Sequence, residues 1–186
     1  MKSLLKELNS GKIEISEGGI ILPKSKIEIG GYFTTDVNGE DVQKHKNIVV
    51  DEGLIYVINT SLAAVAQQAS WFVGIFQNNY TPVPADTAAL FPGAGVANEI
   101  NAEYTEGTRP AYTPNVTNLT NVSNSSVPAT FTINAAVSAY GAFLVSDSVK
   151  TGTTGVLCAA SKFTAVRNLV NADVLNVSYQ LTIADA

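Results

Sequence analysis

The chain has 186 residues, a formal charge of −5, one cysteine and one histidine, a length that predicts one domain with a short appendage. Its hydrophobic share of 46% against 15% charged residues excludes a disordered chain, and one Cys with one His supplies two of the about four ligands of a zinc site and no intramolecular disulfide. A pI near 4.8 argues against nucleic-acid binding, which rests on neutralised phosphates, and no apolar run approaches the roughly 20 residues of a membrane-spanning helix.

The N-terminal MKSLLKELNSGKIE interrupts its short apolar stretch with charges, unlike a signal peptide, so an unprocessed product of a cytosol is expected. Residues 1–50 hold seven Lys and seven Asp/Glu and sum to zero. Residues 51–186 hold nine acids against Arg109, Lys150, Lys162 and Arg167, and so carry the whole net charge. This contrast sets a boundary near residue 46, between an arm (1–45) and a charge-poor body (46–186).

Within the arm, Lys12-Ile13-Glu14-Ile15 and Lys26-Ile27-Glu28-Ile29 alternate charged and apolar residues, the period of half-exposed strands. Gly18-Gly19 and Gly30-Gly31 read as turns or bends. Residues 32–37 continue the second strand, Asn38-Gly39 signals a type I′ hairpin turn, and residues 42–50 return. Residues 1–8 read as a helical turn or a loose arm. Asp51 is the expected N-cap of a helix running to about Gln67, with Leu54, Ile55, Val57, Ile58, Leu62 and Val65 as its apolar stripe. Residues 71–76 (WFVGIF) form a continuous buried strand, and residues 77–92, with Pro82 and Pro84, read as loop. Residues 98–106 are either a short helical piece or an irregular edge. Four more strands are expected over residues 129–135, 139–145, 154–163 and 173–183, separated by turn signals at sandwich-like spacing. The fold class is mainly β: an antiparallel, jelly-roll-like sandwich with one packed helix and an N-terminal hairpin arm.

Few residues offer chemistry. His45, between Lys44 and Lys46, reads as an exposed hairpin residue, and Cys158, in an apolar strand, as a small hydrophobe. Glu99, Glu103 and Glu106 would share one side of a helix and suit Ca²⁺, but Arg109 is available to pair with one of them, and an ion-paired loop is the favoured reading. Four Asn-x-Thr/Ser triplets from Asn115 to Ser126 cannot keep one face of a strand apolar, so they read as an extended surface loop. Phosphate loops and nucleophile elbows are absent. No enzyme, cofactor, catalytic residue or metal is expected.

Several blocks then follow in order: Asn47-Ile48-Val49-Val50-Asp51-Glu52-Gly53-Leu54, WFVGIF at 71–76, YTPVPADTA at 80–88, EYTEGTRPAY at 103–112, YGAFLV at 140–145 and DVLNV at 173–177. Over about residues 46 to 183 this succession resembles a group of small proteins encoded in the structural gene clusters of tailed bacteriophages; the first 45 residues match more loosely. The resemblance implies a non-enzymatic virion component, above all a capsid decoration (cement) protein that binds and stabilises the assembled shell. A tail-fibre, collar or receptor-binding component is the alternative. The implied partners are the major capsid protein or other virion proteins, with a homo-oligomer, no nucleic acid and no membrane, and the implied location is the virion, after synthesis in the host bacterial cytoplasm. Tyr80, Tyr104, Arg109, Tyr112, Asn118, Asn121, Lys26 and Glu28 are the candidate partner contacts, the tyrosines as exposed aromatic side chains.

Overall fold

The computed structural model describes residues 13–15, 21–23, 27–115 and 120–185. The chain divides into a small unit, Met1–Ile29 with Ile183–Ala186, and a large one, Gly30–Thr182. Along the sequence the first change of unit comes at Ile29–Gly30, within the first strand of the predicted hairpin. In the small unit β1 (Ile13–Ile15) and β2 (Ile21–Pro23) pair antiparallel, Ile13 opposite Pro23 and Ile15 opposite Ile21. The expected Gly18-Gly19 turn and the expected helical turn at 1–8 lie outside the described residues.

Along the rest of the chain run β3 (Ile27–Val37), β4 (Glu40–Lys46), β5 (Ile48–Val49), helix α1 (Asp51–Leu62), β6 (Trp71–Phe76), β7 (Ala111–Tyr112), β8 (Asn121–Ser123), β9 (Ala129–Thr132), β10 (Val137–Val145), β11 (Leu157–Leu169) and β12 (Val174–Asp185). They build two antiparallel sheets packed together as a sandwich, the class the sequence predicts. The first sheet has the order β5-β11-β10-β6-β7. The second has the order β4-β3-β12-β8, with β9 also paired to β12.

The hairpin turn is the predicted one. Asn38 (φ +54°) and Gly39 (φ +79°) both adopt the left-handed conformation that a type I′ turn demands and that costs Gly little. Asn38 also ties the turn to β12: its Nδ2 donates to Asp173 Oδ1 and its Oδ1 accepts from Val174 N. Gly30-Gly31 is not a bend but part of continuous β3. Gly31 passes so close to the Gln180 carbonyl on β12 that a Cβ would collide with it.

Helix α1 begins at Asp51, the residue expected to cap it, and so one position early. Val50 is the N-cap, because its extended backbone donates N–H to the Cys158 carbonyl at 3.2 Å, while Asp51 and Glu52 occupy the first turn, where the helix dipole favours acids. Glu52 Oε2 accepts from Ala88 N and Leu157 N, both at 2.8 Å, and so clamps a loop and a strand to the helix start. The helix stops at Leu62 rather than near Gln67, since Ala64 turns left-handed at φ +54°.

The first sheet is covered on both faces, which explains the continuous apolar run of WFVGIF. Its outer cover is the loop after β6, where Ala88, Phe91 and Ala97 are buried on Phe76, Phe143 and Val145. The Phe91 ring meets Phe76 edge-on at 5.5 Å and Phe143 at 5.2 Å. Alternation turns Val73, Ile75, Ala142 and Leu144 to the other face, toward the second sheet, whose inward residues include Phe33, Leu175, Val177 and Tyr179. Residues 98–106 contain no helix: Glu99 bridges to Phe76 and Tyr104 to Ile133, the irregular edge of the two expected forms.

Candidate functional site

The loops that were expected to present partner contacts fold back onto the sandwich. Arg109 is fully buried, Tyr104 and Tyr112 are buried, and Tyr80 is half-buried with its hydroxyl donating to Asp86 Oδ1 at 2.8 Å. Tyr104 packs edge-on against Phe131 at 5.1 Å, and Tyr112 lies 6.1 Å from the Tyr179 ring. Arg109, Tyr104 and Tyr112 are therefore interior, and Tyr80 is partly covered. For the tyrosines the physical reason is the large apolar area of each ring, which gains by leaving water. Glu28 is exposed on β3, and Asn121 is half-buried at the start of β8. Lys26 and Asn118 lie outside the described residues.

Arg109 holds a buried lock. Its Nε donates to Glu99 Oε1 at 2.8 Å and its Nη2 to Glu99 Oε2 at 2.7 Å, a bidentate pair. The same guanidinium donates to the carbonyls of Asp147 (2.7 Å) and Gly152 (3.0 Å) and lies 5.4 Å from the Phe143 ring. Thr151 N adds a bond to Glu99 Oε2 at 2.8 Å. The ion pairing of Arg109 was expected; its complete burial was not. Lys150, 3.6 Å over the Tyr104 ring, donates to the Asn101 and Tyr104 carbonyls, so all these charges hold the loops after β6 and β10 together.

His45 is likewise interior, contrary to the expectation of an exposed hairpin residue. Alternation in Lys44-His45-Lys46 sends both lysines outward and the imidazole inward. Thr164 N donates to Nδ1 at 2.9 Å, which leaves the proton on Nε2, 3.0 Å from Thr35 Oγ1. Arg167 also donates to Thr35 Oγ1 and pairs with Asp41. Burial first, and the Arg167 charge second, lower the His45 pKa to about 4. An unfolded His titrates near 6.5, so between these values the unfolded chain binds more protons and stability falls as pH falls. Going from about pH 7.5 to about pH 5 should cost about 2 kcal/mol in urea unfolding, and His45→Gln should flatten that slope. Because the chain has one histidine, its imidazole NMR signal reports the pKa directly; a midpoint near 6.5 would refute the assignment.

Cys158 is buried beneath α1, and burial pushes its thiol up to about 12. Among the described residues no three His, Cys, Asp or Glu side chains are grouped to hold a metal ion.

The open feature is the outer face of α1. Ile55, Ile58 and Leu62 are 58%, 56% and 85% exposed, and their i, i+3, i+7 spacing lines them along one side. They belong to the stripe that sequence periodicity assigns to the core. The helix instead packs on β11 at Gly53, where an added Cβ would strike the Cys158 carbonyl, and on β6 through Tyr56, whose ring meets Trp71 edge-on at 5.2 Å. The apolar residues of α1 exceed one face, so a second face stays in solvent. Contiguous exposed aliphatic side chains mark interaction surfaces in folded proteins.

No protein-family model matches the chain, and no curated protein matches it.

Proposed function

We propose that this chain is a non-enzymatic structural component of a tailed-bacteriophage particle, a decoration protein that binds the assembled capsid shell through the outer face of α1. The observation that carries this reading is the Ile55–Ile58–Leu62 row, three aliphatic side chains left in water along one side of a helix. Covering each fully would contribute roughly 1.5–3 kcal/mol, which gives a contact between proteins a reason to form. The internal engagement of His45, Cys158 and the Arg109–Glu99 pair supports a role in assembly rather than turnover. The ordered sequence blocks between residues 46 and 183 supply the bacteriophage context.

Two substitutions test the surface. Ile55→Lys with Ile58→Glu should leave thermal stability within about 1 kcal/mol, since both sites are exposed. Co-sedimentation with assembled, undecorated shells should weaken at least tenfold, the loss expected when about 1.4 kcal/mol of apolar contact is removed. A cement site spans several subunits, so wild-type protein should bind shells and not isolated coat monomers. Binding to monomers but not shells, or undiminished shell binding by the double variant, would overturn the proposal.

A further inference from the structure

The outward face of the second sheet carries a chemistry unlike that of α1. Alternation along β3 and β12 turns Phe33, Thr35, Leu175, Val177 and Tyr179 inward and leaves polar side chains outward. Between these strands and the segment 123–128 lies a groove of about 370 Å³, lined chiefly by Tyr32, Thr34, Asp36, Ser123, Ser178 and Gln180. These six side chains are half-buried, recessed rather than projecting. Asp36 is the single carboxylate on its wall, and Ser123 closes the third of the four Asn-x-Thr/Ser triplets.

The wall is pre-set. Tyr32 Oη donates to Gln180 Oε1 at 2.6 Å, and the Lys44 ammonium sits 3.3 Å from the Tyr32 ring centroid, which holds the ring upright. Asp36 Oδ1 accepts from Asn176 Nδ2 at 2.8 Å and from Gly39 N at 2.9 Å. Both bonds fall on one oxygen, so the carboxylate is oriented while Oδ2 accepts from no donor among the described residues. The hydroxyls of Thr34 and Ser178 likewise have no protein partner there.

The backbone of β3 and β12 is already spent, because each strand is paired on both sides. A peptide strand therefore has no edge to extend here, and recognition falls to side chains. Those side chains are hydroxyls, an amide and an oriented carboxylate around a fixed ring, which match a ligand that presents many hydroxyls and little charge. We propose that this groove binds a neutral saccharide, whose hydroxyls donate to Asp36 Oδ2 and exchange hydrogen bonds with Thr34 and Ser178. The Asp36 charge disfavours acidic sugars. This inference stands apart from shell binding: it uses a different face and different residues.

Titration of the full-length protein with chitotetraose, maltotetraose and cellotetraose, followed by saturation-transfer NMR and calorimetry, tests it, with sialyllactose as the acidic comparison. At least one neutral tetrasaccharide should bind and sialyllactose should not. Thr34→Val with Ser178→Ala should weaken binding roughly ten- to thirtyfold, two hydrogen bonds at about fivefold each. Ser125→Trp, an exposed change at the groove's rim, should block binding while removing only one side-chain hydrogen bond, that with Ser123. No binding by any neutral sugar, a preference for sialyllactose, or binding indifferent to both variants would overturn the assignment.

Discussion

Replacing Arg109 by alanine should destabilise the protein by about 3–5 kcal/mol, the loss typical when one partner of a buried ion pair is removed. For a chain of this length that is a fall of roughly 6–20 °C in the thermal midpoint. The size of the effect follows from what is stranded. Glu99, wholly buried, would keep its bond from Thr151 N but lose both guanidinium bonds, and the Asp147 and Gly152 carbonyls would lose their donor. A charge left in the interior with one neutral hydrogen bond is costly because the medium screens it poorly. The double variant Arg109→Met/Glu99→Leu removes the stranded charge and should therefore be more stable than Arg109→Ala by about 1–3 kcal/mol. Differential scanning calorimetry on the three proteins decides it. A double variant no better than the single one would show that the carbonyl bonds, not the carboxylate, dominate the lock.

Gly141→Ala should cost about 3 kcal/mol or more, at the upper end of what overpacking does. In the pairing of β10 with β6, Gly141 stands opposite Phe76 and Phe143 opposite Gly74, so each phenyl ring lies over the glycine facing it. A Cβ at 141 would strike the Phe76 ring and also the Ser161 carbonyl of β11. The backbone of a central paired strand cannot retreat, which is why this site should exceed the usual range. Gly74 differs: a Cβ there would meet the Phe143 ring as its nearest neighbour. Phe143→Leu should therefore offset part of the Gly74→Ala loss, with a coupling of about 1 kcal/mol or more, whereas Phe76→Leu should relieve Gly141→Ala far less. Equal rescue at both positions, measured by urea unfolding, would count against the carbonyl clash.

Several elements are legible in the residues alone. WFVGIF at 71–76 is β6 to the residue, and Asn38-Gly39 is the predicted hairpin turn. Both are local: a run of apolar residues six long, or two residues with a left-handed preference, carries its own conformation. The inward position of His45 was also written locally, in the alternation of Lys44-His45-Lys46, although a single polar His flanked by cations reads first as a surface residue. The register that sets Gly141 against Phe76 was not legible, because it depends on which strand pairs with which. Nor was the cover supplied by the loop after β6, since Phe91 in a stretch rich in Pro and turn residues gives no period.

The candidate surfaces divide in the same way. An apolar stripe on α1 was readable from Leu54 to Leu62, but not which part of it faces water: that follows from the close approach of Gly53 to Cys158, which turns Ile55, Ile58 and Leu62 outward. The polar groove joins residues near 34, 123 and 178, far apart in the chain, and exists only because β3, β8 and β12 are brought into one sheet.

Apolar–polar alternation and turn spacing determined by themselves a mainly β body, and the scarcity of Cys and His left it little material for side-chain chemistry. Those properties are sums over residues or short-range patterns, and need no partner to be read. Whether Arg109, Tyr104 and Tyr112 face solvent or core, and which apolar residues of α1 stay uncovered, was decided by tertiary structure. Burial is a relation between segments distant in sequence: an arginine enters the interior only where a carboxylate and two carbonyls from other loops converge to meet it.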